Sequence, residues 1–172
     1  MKFKIEFFDY WHLGSGVSAG PALDSTVVKD ENGLPYVPGK TIKGILREMA
    51  EMIGGESTAK IFGEEGSSMG EAYFSNAELD RDTAAYLAAH PNEAKHLYEK
   101  ISSTKIGNNG IAEDQSLREI EVVVPLTLWG EIACKEEEKA LLSQAMGMVK
   151  QIGLNRNRGL GRCQIMEAGK ND

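Results

Sequence analysis

Near the C-terminus, Leu154-Asn-Arg-Asn-Arg-Gly-Leu-Gly-Arg-Cys-Gln164 carries Arg156, Arg158 and Arg162 with no acidic residue among them. Gly159 and Gly161 alternate with the arginines, so the backbone can turn freely and approach a ligand closely. Successive exposed N–H groups beside guanidinium forks form a cradle for phosphate oxygens. The chemistry implied is anion recognition. The simpler reading of the same residues is a solvated turn between a helix and a last strand.

A second basic constellation is Pro35-Tyr-Val-Pro-Gly-Lys-Thr-Ile-Lys-Gly-Ile-Leu-Arg47. It opens a helix on a glycine followed by Lys40 and Lys43, with Arg47 one turn on. Free N–H groups at a helix start favour a phosphate, and the lysines add charge. An amphipathic helix with a wet basic face explains the pattern equally well. Cys134 and Cys163 lack metal-ligand spacing and read as small apolar packing residues, a usage that fits a reducing cytoplasm.

These clusters sit in a chain of 172 residues with a formal net charge of −7. That balance argues against a free nucleic-acid binder working by bulk electrostatics, but allows a concentrated basic face on an acidic body. A hydrophobic content of 41% supports one real core. No apolar run is long enough for a membrane span, and the opening residues predict a strand rather than a leader.

The elements that must position the clusters follow from periodicity. Phe3, Ile5 and Phe7 alternate with Lys4 and Glu6 as in a half-buried strand, ended by Trp11-His-Leu-Gly-Ser-Gly16. The loop 17–38 is long for a compact domain, and such loops are usually functional. Ile42, Ile45, Leu46, Met49 and Ile53 predict a helix stopped by Gly54-Gly55. A short strand is expected at 71–74, with helical pieces at 82–87 and 92–101. Strands are expected at 120–124, 126–132 and 161–167. A long helix is expected at 135–152, with Leu141, Ala145, Met148, Val149 and Ile152 on its apolar face. Met146, Met148 and Met166 read as core. This order predicts one α+β domain over residues 1–172, a modified ferredoxin-like (RNA-recognition-motif-like) sandwich. It includes an inserted helical segment at about 80–102 and a glycine-rich loop near the C-terminus.

Taken together, the motifs resemble the RAMP superfamily, and within it the small backbone subunits of type III CRISPR effector complexes. The resemblance rests on Pro38-Gly39-Lys40-Thr41-Ile42-Lys43-Gly44 with Leu46-Arg47, and on Ile61-Phe62-Gly63 followed by Ala72-Tyr73-Phe74-Ser75-Asn76-Ala77. It rests further on Thr104-Lys105-Ile106 leading through Gly110-Ile-Ala112 and Ser116-Leu-Arg118 to Glu121-Val122-Val123, and on Asn157-Arg-Gly-Leu-Gly-Arg162. The family implies a fold that stacks head to tail along a guide RNA, cytoplasmic and without a membrane. Its implied partners are guide RNA, complementary target RNA, copies of the chain and other effector subunits. It implies RNA contacts from Lys40, Lys43, Arg47, Lys105, Arg118, Arg156, Arg158, Gly159, Gly161 and Arg162, with His12 near RNA. The sequence departs from the family's usual pattern at Ser25, Lys40, Thr41 and Lys105.

In such subunits the loop after the first strand carries an aspartate needed to cut target RNA. The matching segment here, Ala22-Leu-Asp24-Ser-Thr-Val-Val-Lys-Asp30, makes Asp24 the candidate catalytic residue. RNA brings its own nucleophile in the 2′-OH, so a carboxylate that binds Mg²⁺ or another divalent cation, or accepts a proton, suffices. No organic cofactor is implied. A loop carboxylate capping a turn, and a packed strand-end histidine at His12, are the structural alternatives. Three functions remain open at this point: a target-cleaving backbone subunit, a non-cleaving scaffold of the same complex, and a guide-processing endoribonuclease using His12.

Overall fold

The computed structural model describes residues 1–16, 25–54, 58–64, 68–107, 109–111 and 116–169. In chain order its elements are β1 (Lys2–Phe7), α1 (Gly39–Ile53), α2 (Thr58–Phe62), β2 (Gly63–Glu64), β3 (Ser68–Met69) and β4 (Tyr73–Phe74). There follow α3 (Arg81–Ala89), α4 (Pro91–Ala94), β5 (Tyr98–Ser103), β6 (Arg118–Val123), β7 (Thr127–Ala133), α5 (Lys139–Met148) and β8 (Cys163–Glu167).

β1 is the centre of construction. It pairs antiparallel with β7 and β8, and β4 pairs with the far side of β7, giving the order β4-β7-β1-β8. With α1 and α5 between these strands in sequence, that is the ferredoxin-like arrangement expected. Because side chains alternate across a strand, Phe3, Ile5 and Phe7 share one face with Leu128, Ile132, Cys163 and Ile165. Against that face pack Ile42, Leu46 and Ala50 of α1 and Leu142, Ala145 and Met146 of α5. Gly130, opposite Phe3, is required by this packing: a Cβ there would lie 2.4 Å from the Phe3 ring.

The start of α1 depends on another segment. Pro38 offers no capping side chain, and the Gly39 N–H donates instead to Asn76 Oδ1 at 2.9 Å. A Cβ on residue 39 would lie 2.2 Å from the Phe74 carbonyl oxygen. Thus the Pro-Gly helix start and the Ser75-Asn76-Ala77 stretch are two halves of one joint. The helix ends at Gly54, whose φ of 82° is the left-handed turn that favours glycine.

β5 and β6 form a separate two-stranded hairpin. Two strands alone are marginal in water. The base of this hairpin is therefore fixed to the body, through Trp11 paired with Val123 and Ser25 paired with Ile120.

Two helix expectations need correction. The piece expected at 92–101 ends in a 3₁₀ turn, Lys95–Leu97, and the chain then enters β5. Tertiary contacts override local propensity here: the Tyr98 hydroxyl donates to the Gly33 carbonyl at 2.6 Å, and its backbone pairs with Val123. The inserted segment is therefore helical only from Arg81 to Leu97, and α3 buries none of its residues. The helix expected at 135–152 narrows to α5, with a 3₁₀ turn at Glu136–Glu138 before it. Residues 150–152 instead run extended to bond the C-terminal loop, Ile152 N–H to Gly161 and Cys163 N–H to the Lys150 carbonyl. Ala145, Met146, Val149 and Ile152 are buried as expected, but Leu142 rather than Leu141 fills the core, and Met148 is 41% exposed.

Cys163 is buried, which pushes its thiol up to about 12; burial raises the Cys134 thiol as well. Both are free thiols that pack as small apolar groups. Among the described residues, no helix is long and apolar enough to cross a membrane.

Candidate functional site

Where β1 ends, Trp11 and His12 are both fully buried. His12 Nδ1 lies 2.6 Å from the Glu121 carbonyl oxygen and Nε2 lies 3.0 Å from Ser25 Oγ. A carbonyl only accepts, so Nδ1 carries a proton, and in the neutral imidazole Nε2 accepts from the Ser25 hydroxyl. The His12 carbonyl accepts the Leu154 N–H at 2.9 Å. Gly153 (φ +100°) passes so close that a Cβ would lie 2.3 Å from that oxygen. His12 thus ties together the end of β1, the segment after residue 24, β6 and the C-terminal loop. Having no exposed surface, it offers no face to RNA.

The segment after residue 24 is fastened by Glu121. Its carboxylate accepts the Val27 N–H at 3.0 Å and pairs with Lys29 at 2.8 Å. The Lys29 ammonium lies 3.9 Å over the centre of the Tyr98 ring. Burial, with the charges of Glu121 and Asp30, raises the Tyr98 phenol above its ordinary value, so it stays a hydrogen-bond donor. Asp30 closes the following turn by accepting from the Asn32 and Leu34 N–H groups. Asp24 lies outside the described residues. Its neighbour Ser25 is held on two sides, by His12 through its hydroxyl and by the Glu121 N–H, which donates to its carbonyl at 3.1 Å. Among the described residues, no group of three or more His, Cys, Asp or Glu gathers to hold a metal ion.

The arginine loop divides into two parts. Arg156 and Arg158 lie in a 3₁₀ turn between Asn155 (φ 56°) and Gly159 (φ 85°). With Arg118 at the start of β6, they line an open cleft of about 690 Å³ together with Gln151, Asn155 and Asn157. Arg162 differs, because its Nε lies 3.0 Å from an Asp9 carboxylate oxygen. Sequence reading missed this acid, since Asp9 is remote along the chain and only β1–β8 pairing brings it near.

The glycines divide in the same way. Gly159 faces open space, whereas a Cβ on Gly161 would lie 2.0 Å from the Ile152 carbonyl oxygen. Gly161 therefore serves backbone packing, and Gly159 is the glycine free to meet a ligand. Gly159→Ala should cost about 1–2 kcal/mol, the strain of a left-handed residue. Gly161→Ala adds a backbone clash and should cost about 2–5 kcal/mol in all. Urea unfolding measures both; equal losses would contradict this division.

The remaining basic residues lie elsewhere. Lys40 and Lys43 line a second cleft, of about 540 Å³, with Glu64, Glu71, Met69 and Tyr73. That cleft is at the β4 edge of the sheet, and the arginine loop is at the opposite, β8 edge. Arg47 pairs with Glu51 one turn along α1. Lys105 is exposed between β5 and β6, with its N–H on Ser116 Oγ at 3.2 Å. The structure thus gathers Arg118, Arg156 and Arg158, and leaves Lys40, Lys43, Arg47 and Lys105 outside that cleft.

Comparisons with known proteins agree with the architecture. The family model described as the RAMP superfamily matches residues 4–164. A chain of a cryo-EM structure of the type III-B Cmr-beta bound to cognate target RNA is similar, with a TM-score of 0.75 and 12% identity. The match covers 96% of this chain and 95% of that one. A chain of the apo-state type III-B Cmr-beta gives a TM-score of 0.72 at 12% identity, covering 98% and 97%. At such identity the likeness is one of fold. No curated protein sequence matches the chain.

Proposed function

Because the chain belongs to the RAMP superfamily, we propose that it is a guide-RNA-binding backbone subunit of a type III CRISPR effector complex, cutting guide-paired target RNA. The observation that carries this reading is the cleft where Arg118, Arg156 and Arg158 meet, in a protein whose net charge is −7. A local cation cluster on an acidic body favours a phosphate backbone while limiting non-specific adsorption. The fold likeness to chains of Cmr-beta assemblies, one of them bound to target RNA, supports the same reading. Its partners are then guide RNA, complementary target RNA, further copies of the chain and other effector subunits.

Cleavage is assigned to Asp24. Ser25, the next residue in sequence, is a fixed point anchored to His12 and to β6. The described carboxylates near that point are engaged: Glu121 with Val27 and Lys29, Asp30 with its own turn. A Mg²⁺ or other divalent cation would therefore be held by Asp24 and RNA phosphates, where it would shield charge on the scissile phosphate. Without a cation, the carboxylate would accept the 2′-OH proton. The guide-processing alternative needs His12 at the substrate, and its burial speaks against that role.

Assembly tests the reading. Light scattering of the chain with guide RNAs of increasing length should give complexes whose mass rises with length, and a small species without RNA. A mass independent of RNA length would overturn the backbone assignment.

A further inference from the structure

Bonded to the far end of the arginine loop are two exposed aromatic residues that neither the core nor the proposed reading uses. Phe8 is 42% exposed and Tyr10 is 41% exposed, flanking Asp9 where β1 ends. Their backbones bond the same loop that carries the arginines: the Phe8 N–H donates to Arg162 at 2.9 Å, and the Gly161 N–H donates to the Tyr10 carbonyl at 2.8 Å. The Arg162 guanidinium lies 5.9 Å from the Phe8 ring centre while its Nε is held by Asp9. Asp9, Arg162 and Phe8 thus form a preset unit in which the ring is steadied before any ligand arrives.

Buried aromatics nearby, Phe7 stacked on Trp11 at 4.4 Å, already account for the packing here. Phe8 and Tyr10 leave large apolar area in water on a strand end bonded to the loop that carries Arg156 and Arg158. Exposed rings interleaved with cations are what an unpaired nucleic-acid strand requires: cations follow the phosphates and rings stack on bases.

Resting on the reading above that this loop binds RNA, we infer that Phe8 and Tyr10 form a stacking platform for unpaired bases of single-stranded RNA. The platform tolerates any base, since every base has a π-face. It disfavours RNA already in a duplex, whose bases are stacked on one another. The charge of Arg156 and Arg158, carried on the same loop, selects RNA over a protein partner as the occupant.

The test uses the full chain and single-stranded RNA containing 2-aminopurine, whose fluorescence falls on stacking. Phe8→Leu with Tyr10→Leu keeps apolar bulk but removes the rings. Affinity should fall about 30-fold or more, from a stacking loss of about 1 kcal/mol or more for each of two bases. The salt dependence should not change, because no charge is removed. Phe8→Tyr with Tyr10→Phe should restore both affinity and quenching. Wild-type affinity and quenching in a double Leu variant that melts like the wild type would overturn the platform while leaving RNA binding intact. If the double Leu variant does not fold, equal wild-type affinity for single-stranded RNA and its duplex would overturn the platform too. Absence of RNA binding by the wild type would overturn the platform together with the reading on which it rests.

Discussion

Replacing Asp24 with Ala is expected to lower cleavage of a guide-complementary RNA about 10²–10⁴-fold, the usual contribution of a positioned acid–base group. Guide binding and assembly should be unchanged, because the arginine cleft draws on β6 and the loop 153–158. Asp24→Asn, which keeps size and loses charge, should behave like Ala if the carboxylate acts as base or metal ligand. Chelation separates those two roles. Activity lost with chelator and restored by Mg²⁺ assigns a metal; activity indifferent to chelator assigns proton transfer. Single-turnover cleavage at the wild-type rate by Asp24→Ala would remove Asp24 from the chemistry and leave the chain a scaffold.

The parts of this molecule legible in its sequence are those written in short-range pattern. Alternation at Phe3, Ile5 and Phe7 located β1, and the spacing of Ile42, Leu46 and Ile53, stopped by glycine, located α1. What failed did so where long-range contacts decide. Tyr98 to Ile101 read as helix, yet pairing with β6 and the Tyr98–Gly33 hydrogen bond draw them into a strand. Met148 read as core by its spacing from Leu141 and Ala145, yet the buried face of α5 runs through Leu142, Ala145 and Met146 and leaves Met148 on the outer side. The α2 helix and the β2–β3 hairpin were not anticipated, because each is too short to show a period.

The candidate site divides along the same line. Three arginines looked equivalent in one loop; pairing with Asp9, visible only once β1 and β8 adjoin, sets Arg162 apart. Arg118, which the family pattern places in a different motif, turns out to share the cleft of Arg156 and Arg158. Glycine shows the same limit. Gly159 and Gly161 are alike in sequence, but only Gly161 has a carbonyl where its Cβ would stand.

Those differences give the arginines unequal expected effects on binding. Arg118→Ala, Arg156→Ala and Arg158→Ala together remove three cations from one cleft. If each meets one phosphate of single-stranded RNA, the slope of log K against log salt should fall by about 2, at roughly 0.7 per contact. The advantage of wild type over the triple variant should then shrink about 20-fold as salt rises from about 50 to about 200 mM. Stability should change little, since exposed substitutions cost under about 0.5 kcal/mol each. Arg162→Ala supplies the internal comparison. Its charge is already met by Asp9, so the slope should change by less than about 0.7, the value of one contact. Equal slopes for the triple variant and wild type, with both folded, would remove the cleft from the RNA interface. A larger slope change from Arg162 alone than from the other three would move the phosphate path out of the cleft and onto the outer edge of β8.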